Sequence, residues 1–94
     1  QNSICMFLEI VSPEKTLFSG EVSSVIVPGT EGSFQILNNH APIVSTLKNG
    51  LIKLKGVFEG DYPSLNIESS SAATLEVQSG IIEMKQNKLI ILVG

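Results

Sequence analysis

Apolar and polar residues alternate with a period of two along most of the chain. In residues 51–55, for example, Ile52 and Leu54 alternate with Lys53 and Lys55. This alternation is typical of a β-strand that buries one face and exposes the other. No long stretch repeats apolar residues at the helical spacing i, i+3, i+4, i+7. The pattern therefore predicts an all-β protein.

Turn signals divide this pattern into short strands, since clusters of Gly, Pro, Asn and Ser recur about every eight to twelve residues, as in sandwiches and barrels. Strands are predicted at residues 4–11, 15–18, 21–27, 33–37, 43–47, 51–55, 75–78, 81–85 and 89–93. Leu65 and Ile67 indicate one further edge strand. We therefore expect a two-sheet β-sandwich of about ten short strands, forming a single domain over residues 1–94.

Several connections carry their own signals. The Ser-Gly pair at residues 19–20 predicts a turn between the second and third strands. The Asn-Gly pair at residues 49–50 predicts a tight hairpin. Residues 57–74 match no regular pattern and are expected to form a mobile surface hairpin. The last strand, residues 89–93, is apolar on both faces and is expected in the middle of a sheet.

Charge and composition exclude several classes of partner. The formal net charge is −3, and the six cationic residues are all lysines. Because arginine dominates the recognition of phosphates and base edges, we expect no nucleic-acid binding. No apolar run approaches the ~18 residues that cross a bilayer, so no direct membrane insertion is expected. The single cysteine, Cys5, is predicted to be a small buried hydrophobic residue in a reducing compartment.

Residues that could support catalysis or hold a metal are sparse. His40 is the only histidine, so no His-His or Cys-His metal set exists. No serine lies in a Gly-x-Ser-x-Gly turn, and residues 29–32 lack the length and the lysine of a phosphate loop. Composition alone still permits a Ser-His-carboxylate triad. We expect no catalytic residue, no cofactor and no metal.

One long shaped connection, residues 27–42, contains two glycines, two prolines, two adjacent asparagines and the only histidine. Both glycines are expected to adopt positive φ, and the asparagines are expected to form a left-handed bend. His40 either donates a hydrogen bond to a local carbonyl that holds this bend or contacts a partner chain. Glu31 is either a solvated turn carboxylate or a contact to another subunit.

Seven short segments occur in an order that a known protein family shares. They are LEIVSPE at residues 8–14, LFSG at 17–20, VPGTEG at 27–32, NHAP at 39–42, LKNGL at 47–51, SGIIE at 79–83 and LIIL at 89–92. Together they resemble the epsilon subunit of F-type proton-translocating ATP synthases, whose mitochondrial counterpart is called delta. Each segment alone is weak, but seven in order over most of the chain are specific.

The resemblance implies a ten-stranded β-sandwich that catalyses nothing itself. Such a domain sits at the foot of the central stalk, between the gamma subunit and the ring of membrane c subunits, and couples ring rotation to the shaft in ATP synthesis. The protein would be peripheral, on the cytoplasmic face of the bacterial inner membrane. The resemblance places the c-ring contact at Glu31, Gly32 and Ser33. It places the gamma contact at or near Ser12, His40, Ala41, Pro42 and Val44.

The chain departs from the family in two respects. Family members usually carry a carboxy-terminal helical hairpin after the sandwich, and this chain stops at Gly94. The expected fold of residues 1–94 is therefore the sandwich without that hairpin, and these residues alone provide neither an inhibitory brake nor a nucleotide sensor. Gln35 and Ser79 also stand where the family commonly has glycine, and residues 57–74 match poorly.

Two other functions fit the composition. A stand-alone β-sandwich interaction module, such as an adhesion domain, would predict export. The first residues, however, lack the basic region that begins a signal peptide, and a lone cysteine forms no internal disulfide. An enzyme would have to lose its activity on a His40→Ala substitution as a minimum requirement.

Overall fold

The computed structural model describes residues 5–94, and these residues form nine β-strands and no helix. The strands are β1 (Met6–Val11), β2 (Thr16–Gly29), β3 (Gly32–Leu37), β4 (Ile43–Leu47), β5 (Gly50–Gly56), β6 (Asn66–Ser69), β7 (Ala72–Val77), β8 (Gly80–Lys85) and β9 (Lys88–Val93). The all-β prediction is confirmed. The predicted first strand began at Ile4, which lies outside the described residues.

The strands form the two layers of a sandwich, and β2 belongs to both. In the first layer, which we call sheet 1, the amino-terminal half of β2 pairs with β1, and pairing continues through β9 and β8 to β4. In the second layer, sheet 2, the carboxy-terminal half of β2 lies between β3 and β5, and β5 continues through β7 to β6. The predicted two-sheet β-sandwich is confirmed, with one long strand in place of two short ones.

This long strand overturns the turn predicted at residues 19–20. Ser19 and Gly20 instead pair with Glu9 and Leu8 of β1 as ordinary ladder residues. The prediction failed because a Ser-Gly pair permits a turn without requiring one, and pairing with β1 keeps the backbone extended.

A β-bulge moves β2 from one sheet to the other. The register between β2 and β5 shifts between Val22 and Ser24. Val22 faces the core before the shift, whereas Val25 and Val27 face it afterwards, so the buried phase changes from even to odd positions. Because a bulge adds a residue and bends the strand, one chain segment can serve both layers.

The Asn-Gly pair at residues 49–50 does not form the predicted hairpin. Among the described strands, β4 pairs with β8 and β2, whereas β5 pairs with β2 and β7. The connection therefore crosses between the sheets. A Cβ atom at Gly50 would lie only 2.9 Å from Cβ of Pro28, so a glycine lets the crossing pass close to the end of β2.

Alternate residues of both sheets face one apolar core. The side chains with 0% exposure are Leu8, Ile10, Val22, Val25, Val27, Ile36, Ile52, Ile82, Leu89 and Ile91. The alternation predicted for residues 51–55 is confirmed, since Ile52 and Leu54 are buried while Lys53 and Lys55 are exposed. The last strand, β9, lies between β1 and β8, so its predicted mid-sheet position is also confirmed.

Residues 57–74 are built differently from the predicted surface hairpin. Ile67 lies in the edge strand β6, as expected. The preceding segment, however, supplies core residues, since Phe58 and Leu65 are 5% and 8% exposed. The Phe58 ring centroid lies 6.1 Å from that of Phe18 and 5.8 Å from that of Tyr62. The surface prediction is wrong here because these aromatic rings fill one end of the core.

Candidate partner-binding site

The first candidate contact is the tip loop, residues 28–33, which turns β2 into β3. Its three predicted c-ring residues, Glu31, Gly32 and Ser33, are all exposed. Gly32 has a φ of 127°, a conformation that side chains rarely adopt, so the turn depends on this glycine. The structure thus brings the three residues together on one projecting polar turn.

Gly29, at the start of this loop, serves a different purpose from the one predicted. The φ angle of Gly29 is not positive. A Cβ atom there would lie 2.7 Å from the Gly32 carbonyl oxygen and 2.7 Å from the Phe34 ring. Glycine is therefore required for close packing across the hairpin and not for a left-handed turn.

Three hydrogen bonds attach the tip loop to the end of β4. The Thr30 backbone N–H donates to the Thr46 carbonyl oxygen at 3.0 Å, and the Lys48 N–H donates to the Pro28 carbonyl oxygen at 2.9 Å. The hydroxyl groups of Thr30 and Thr46 lie 2.8 Å apart. The loop is consequently anchored to sheet 1, although the hairpin that carries it belongs to sheet 2.

The second candidate contact is the bend, residues 38–42, which carries the chain from β3 to β4. Asn39 has a φ of 65°, which confirms the predicted left-handed geometry. The His40 N–H donates to the Leu37 carbonyl oxygen at 3.1 Å and tightens the turn. His40 is half-buried, whereas Ala41 and Pro42 are exposed. Three predicted gamma-contact residues therefore lie side by side on one bend.

The imidazole of His40 makes the local hydrogen bond that the sequence predicted. Its Nδ1 atom lies 2.7 Å from the Ala41 carbonyl oxygen, and because a carbonyl can only accept, Nδ1 donates. In a catalytic triad this nitrogen would instead bond a carboxylate. The local interpretation of His40 is confirmed, and its contact with a partner chain stays a prediction.

Sequence reasoning missed Asn87, which holds the bend from the β8–β9 turn. Its Oδ1 accepts from the Asn39 N–H at 2.7 Å. Its Nδ2 donates to Asn38 Oδ1 at 2.8 Å and to the Cys5 carbonyl oxygen at 3.2 Å. The turn itself was recognisable in the sequence, but no local signal shows that this side chain reaches a bend far along the chain.

A second omission is the outer patch, the apolar face that sheet 1 turns away from the core. Val44 was its only predicted member and is 70% exposed, but Ile81 and Leu92 are also 46% and 50% exposed. Register places Ile81 beside Leu92, and Leu92 beside the half-buried Val11. In the neighbouring row, Val44 and Ile90 lie on either side of the exposed Glu83. Half-buried Ile90 completes the patch, which is defined by Val11, Val44, Ile81, Ile90 and Leu92. The sequence signal for this patch was the last strand, β9, which is apolar on both faces. Such a strand predicts an apolar outer face of the sheet as well as a central position in it.

Ser12 lies apart from the other predicted gamma-contact residues. Its hydroxyl group accepts from the Lys15 N–H at 3.2 Å and donates to the Lys15 carbonyl oxygen at 3.1 Å, closing the β1–β2 turn. The preceding Val11 is level with Leu92, Ile81 and Thr46 in the ladder of sheet 1. Ser12 is thus at the tip-loop end of the molecule, and the bend is at the opposite end.

Other chemistry in residues 5–94 is limited. No three His, Cys, Asp or Glu side chains come close enough there to share a metal ion. The same residues contain no helix that could span a membrane. A groove of about 300 Å³ on the outer face of sheet 2 is lined in part by Ser24, Lys53 and Thr74. The Ser24 hydroxyl accepts a hydrogen bond from Gln35 Nε2 at 2.9 Å. This partner is an amide group and not a base that could activate the serine.

Comparison with known proteins identifies relatives of the whole sandwich. A family model described as the β-sandwich domain of the ATP synthase delta/epsilon chain matches residues 5–94. An ATP synthase epsilon chain of Chlorobium limicola is 39% identical over 85 residues, which are 90% of this chain and 84% of the relative. An ATP synthase epsilon chain of Leptospira interrogans is 40% identical over 85 residues, but the match covers only 58% of that relative.

Two solved structures share the fold. A chain of the Tetrahymena thermophila mitochondrial ATP synthase central stalk and c-ring superposes with a TM-score of 0.73 at 20% identity, covering 94% of this chain and 62% of that one. A chain of the Euglena gracilis mitochondrial ATP synthase superposes with a TM-score of 0.76 at 14% identity, covering 99% and 52%. At these identities the structural likeness establishes the architecture alone.

Proposed function

The chain belongs to the β-sandwich family of ATP synthase delta and epsilon chains, and from this premise we propose that it is a non-catalytic subunit of the central stalk. It couples rotation of the c ring to the gamma shaft in ATP synthesis, as a peripheral subunit on the cytoplasmic face of the bacterial inner membrane. Residues 1–94 provide its β-sandwich domain. The family membership favours this function over a stand-alone interaction module.

The observation that carries the proposal is that one core holds the tip loop and the bend, the two candidate contacts, at opposite ends. The tip loop and the bend are joined by β3, whose six residues span about 20 Å at roughly 3.3 Å per residue. A subunit that transmits torque must keep its two contacts at a fixed separation. Close-packed protein interiors have low compressibility, so a sandwich core meets this requirement.

The tip loop and the outer face of sheet 1 differ in chemistry, and this difference suggests which partner each one binds. The tip loop is polar and exposed, so it suits the polar loops of a c ring. The bend leads directly into Val44 and the outer patch, and an exposed apolar surface of this kind suits burial in a protein interface. We assign the tip loop to the c ring, and the bend with the outer patch to gamma.

Ser12 is compatible with this assignment if gamma covers sheet 1 along its length. The outer patch extends from Val44, which follows the bend, to Val11 and Leu92 near Ser12. A gamma surface that contacts His40 at one end could then reach Ser12 at the other. Glu31, Gly32 and Ser33 would remain outside this interface and free to meet the ring.

A Val44→Glu substitution tests the gamma assignment. It places a charge in the proposed interface, so affinity for purified gamma should fall by about tenfold or more, equivalent to ~1.4 kcal/mol. Binding of the native subunit to gamma can be measured by titration calorimetry. Val44 is already 70% exposed in the free chain, and repulsion from its exposed ladder partner Glu83 should cost less than ~1 kcal/mol, so the fold itself should tolerate the change.

Val57→Glu is the matched control. Val57 is 68% exposed, nearly the same as Val44, but it follows β5 in sheet 2 and lies outside the outer patch. Gamma should bind this variant with unchanged affinity. Equal affinities of the two variants for gamma would show that the outer patch is not the gamma site.

A further inference from the structure

The Asn87 side chain joins three segments that are distant in sequence. Its Oδ1 accepts from the Asn39 N–H at 2.7 Å, while its Nδ2 donates to Asn38 Oδ1 at 2.8 Å and to the Cys5 carbonyl oxygen at 3.2 Å. Its own carbonyl oxygen accepts from the Phe7 N–H at 3.2 Å. One residue therefore links the start of β1, the β8–β9 turn and the bend.

Backbone geometry explains why an asparagine can occupy this position. Gln86 and Asn87 have φ values of 53° and 62°, the left-handed pair of a tight β-hairpin turn. Asparagine tolerates this conformation better than most residues, and its short amide carries both a donor and an acceptor. The same turn residue can therefore close the hairpin and bond a neighbouring segment.

The bend holds one residue in a backbone conformation that needs a stabilising contact. Asn39 is itself left-handed, with a φ of 65°, a conformation that costs free energy for a residue with a side chain. The bond from its N–H to Asn87 holds it there. The neighbouring His40 N–H bonds Leu37, and the imidazole bonds Ala41, so both of these contacts are local. Asn87 supplies a contact that ties the bend to a distant segment of the sandwich.

We infer that Asn87 is a positioning residue for the proposed gamma contact. It sets the bend in the conformation that presents His40, Ala41 and Pro42, and it acts on gamma binding through these residues. This inference rests on the proposed function. A preformed bend binds more tightly than one that must be ordered on binding, because the entropy of ordering is then lost during folding and not during association.

Asn87→Gly removes the side chain and keeps the turn, since glycine adopts positive φ at little cost. The native subunit carrying this change should bind purified gamma about tenfold more weakly, as expected when the side-chain hydrogen bonds that hold the bend are lost. In the free subunit, hydrogen exchange of the Asn39 amide should accelerate by a similar factor. Gln86→Gly, in the same turn, is the control and should change neither quantity by more than about twofold.

A double-mutant cycle separates positioning from general stability. If Asn87 acts by presenting the bend, Asn87→Gly should weaken gamma binding by less than about threefold in a His40→Ala background. An equal loss of affinity in both backgrounds would overturn the inference, as would unchanged affinity of the single variant. If the wild-type subunit fails to bind gamma, the proposed function is wrong. The role of Asn87 in holding the bend is then judged from hydrogen exchange of the Asn39 amide in the free subunit. An exchange rate that Asn87→Gly leaves unchanged would refute that role.

Discussion

At the scale of single residues, the exposed tip and bend are shaped by a few backbone requirements. Gly32 supplies a φ of 127° at the tip, and Asn39 supplies 65° at the bend. Gly29 and Gly50 instead permit close approach, since Cβ atoms there would lie 2.7 and 2.9 Å from neighbouring atoms. These backbone geometries leave Glu31 and Ser33 of the tip, and Ala41 and Pro42 of the bend, exposed at the surface.

Among these side chains, Glu31 offers the most direct test of the ring contact. Glu31→Lys reverses the charge at the exposed tip without disturbing a buried group. If Glu31 meets the ring, proton pumping per ATP hydrolysed should fall by about twofold or more, since one surface charge contact is worth up to ~1 kcal/mol. The measurement is ATP-driven acidification of membrane vesicles, normalised to hydrolysis.

Glu59→Lys makes the same charge change at an exposed position far along the chain from the tip loop. Vesicles carrying it should pump like wild type. Wild-type pumping in the Glu31→Lys vesicles as well would remove Glu31 from the ring contact and leave it a solvated turn carboxylate.

At the scale of elements, the decisive feature is that the tip loop spans the two sheets. Its hairpin, β2–β3, lies in sheet 2, while the hydrogen bonds of Thr30 connect it to β4 in sheet 1. The outer patch begins on that same strand. Any force on the tip therefore reaches the proposed gamma face through β4 as well as through β3.

Thr46→Val tests this connection, because valine keeps the β-branched shape and removes the hydroxyl group. The 2.8 Å contact to the Thr30 hydroxyl would be lost, whereas the backbone bond from Thr30 N–H would remain. We expect the free energy of unfolding to fall by about 0.5–1 kcal/mol. Amide exchange at Thr30 and Glu31 should accelerate, as read by NMR.

Thr16→Val provides the comparison, since Thr16 is an exposed residue at the start of β2, outside the tip loop. In the Thr16→Val variant, the amide groups of Thr30 and Glu31 should exchange at the wild-type rates. If Thr46→Val also leaves tip exchange and stability unchanged, the hydroxyl pair does not anchor the loop.

At the scale of the whole molecule, a single core fixes the distance between the two proposed contacts. The described residues measure 34 × 30 × 22 Å along their principal axes, and strand register places the tip and the bend at opposite ends of this small body. The aromatic cluster of Phe18, Phe58 and Tyr62 fills one end of this core. The irregular segment before β6 is therefore part of what keeps the body rigid.

Phe58→Ala should reveal this contribution. The ring is 5% exposed and packs edge-on against Tyr62 at 5.8 Å. Its removal leaves a cavity, so the free energy of unfolding should fall by about 3–5 kcal/mol in chemical denaturation.

Val57→Ala, next to it and 68% exposed, should stay within about 0.5 kcal/mol of wild type. Similar stabilities for the two variants would mean that residues 57–65 pack loosely on the surface and do not belong to the core.

The sequence alone determined the class of fold and most of the strands, because their signals are local. The alternation of apolar and polar residues in 51–55 depends only on the hydrophobicity of the side chains, and the structure buries Ile52 and Leu54 as expected. The local hydrogen bond of His40 followed in the same way, since its acceptor is the adjacent residue, Ala41. The seven segments that resemble the epsilon family could also be recognised from the sequence, and the family match over residues 5–94 confirms the resemblance.

The tertiary structure decided which strands pair and which distant residues meet. The Asn-Gly pair at 49–50 has hairpin chemistry, yet it crosses between sheets because β4 and β5 bury their apolar faces in different layers. The contacts from Asn87 to Asn39 and from Thr46 to Thr30 join residues far apart in sequence. Such contacts produce no periodic pattern in the sequence, because they arise from the packing of whole strands. The sequence thus identified the tip and the bend, while the fold determined how each is held and that they face opposite ends.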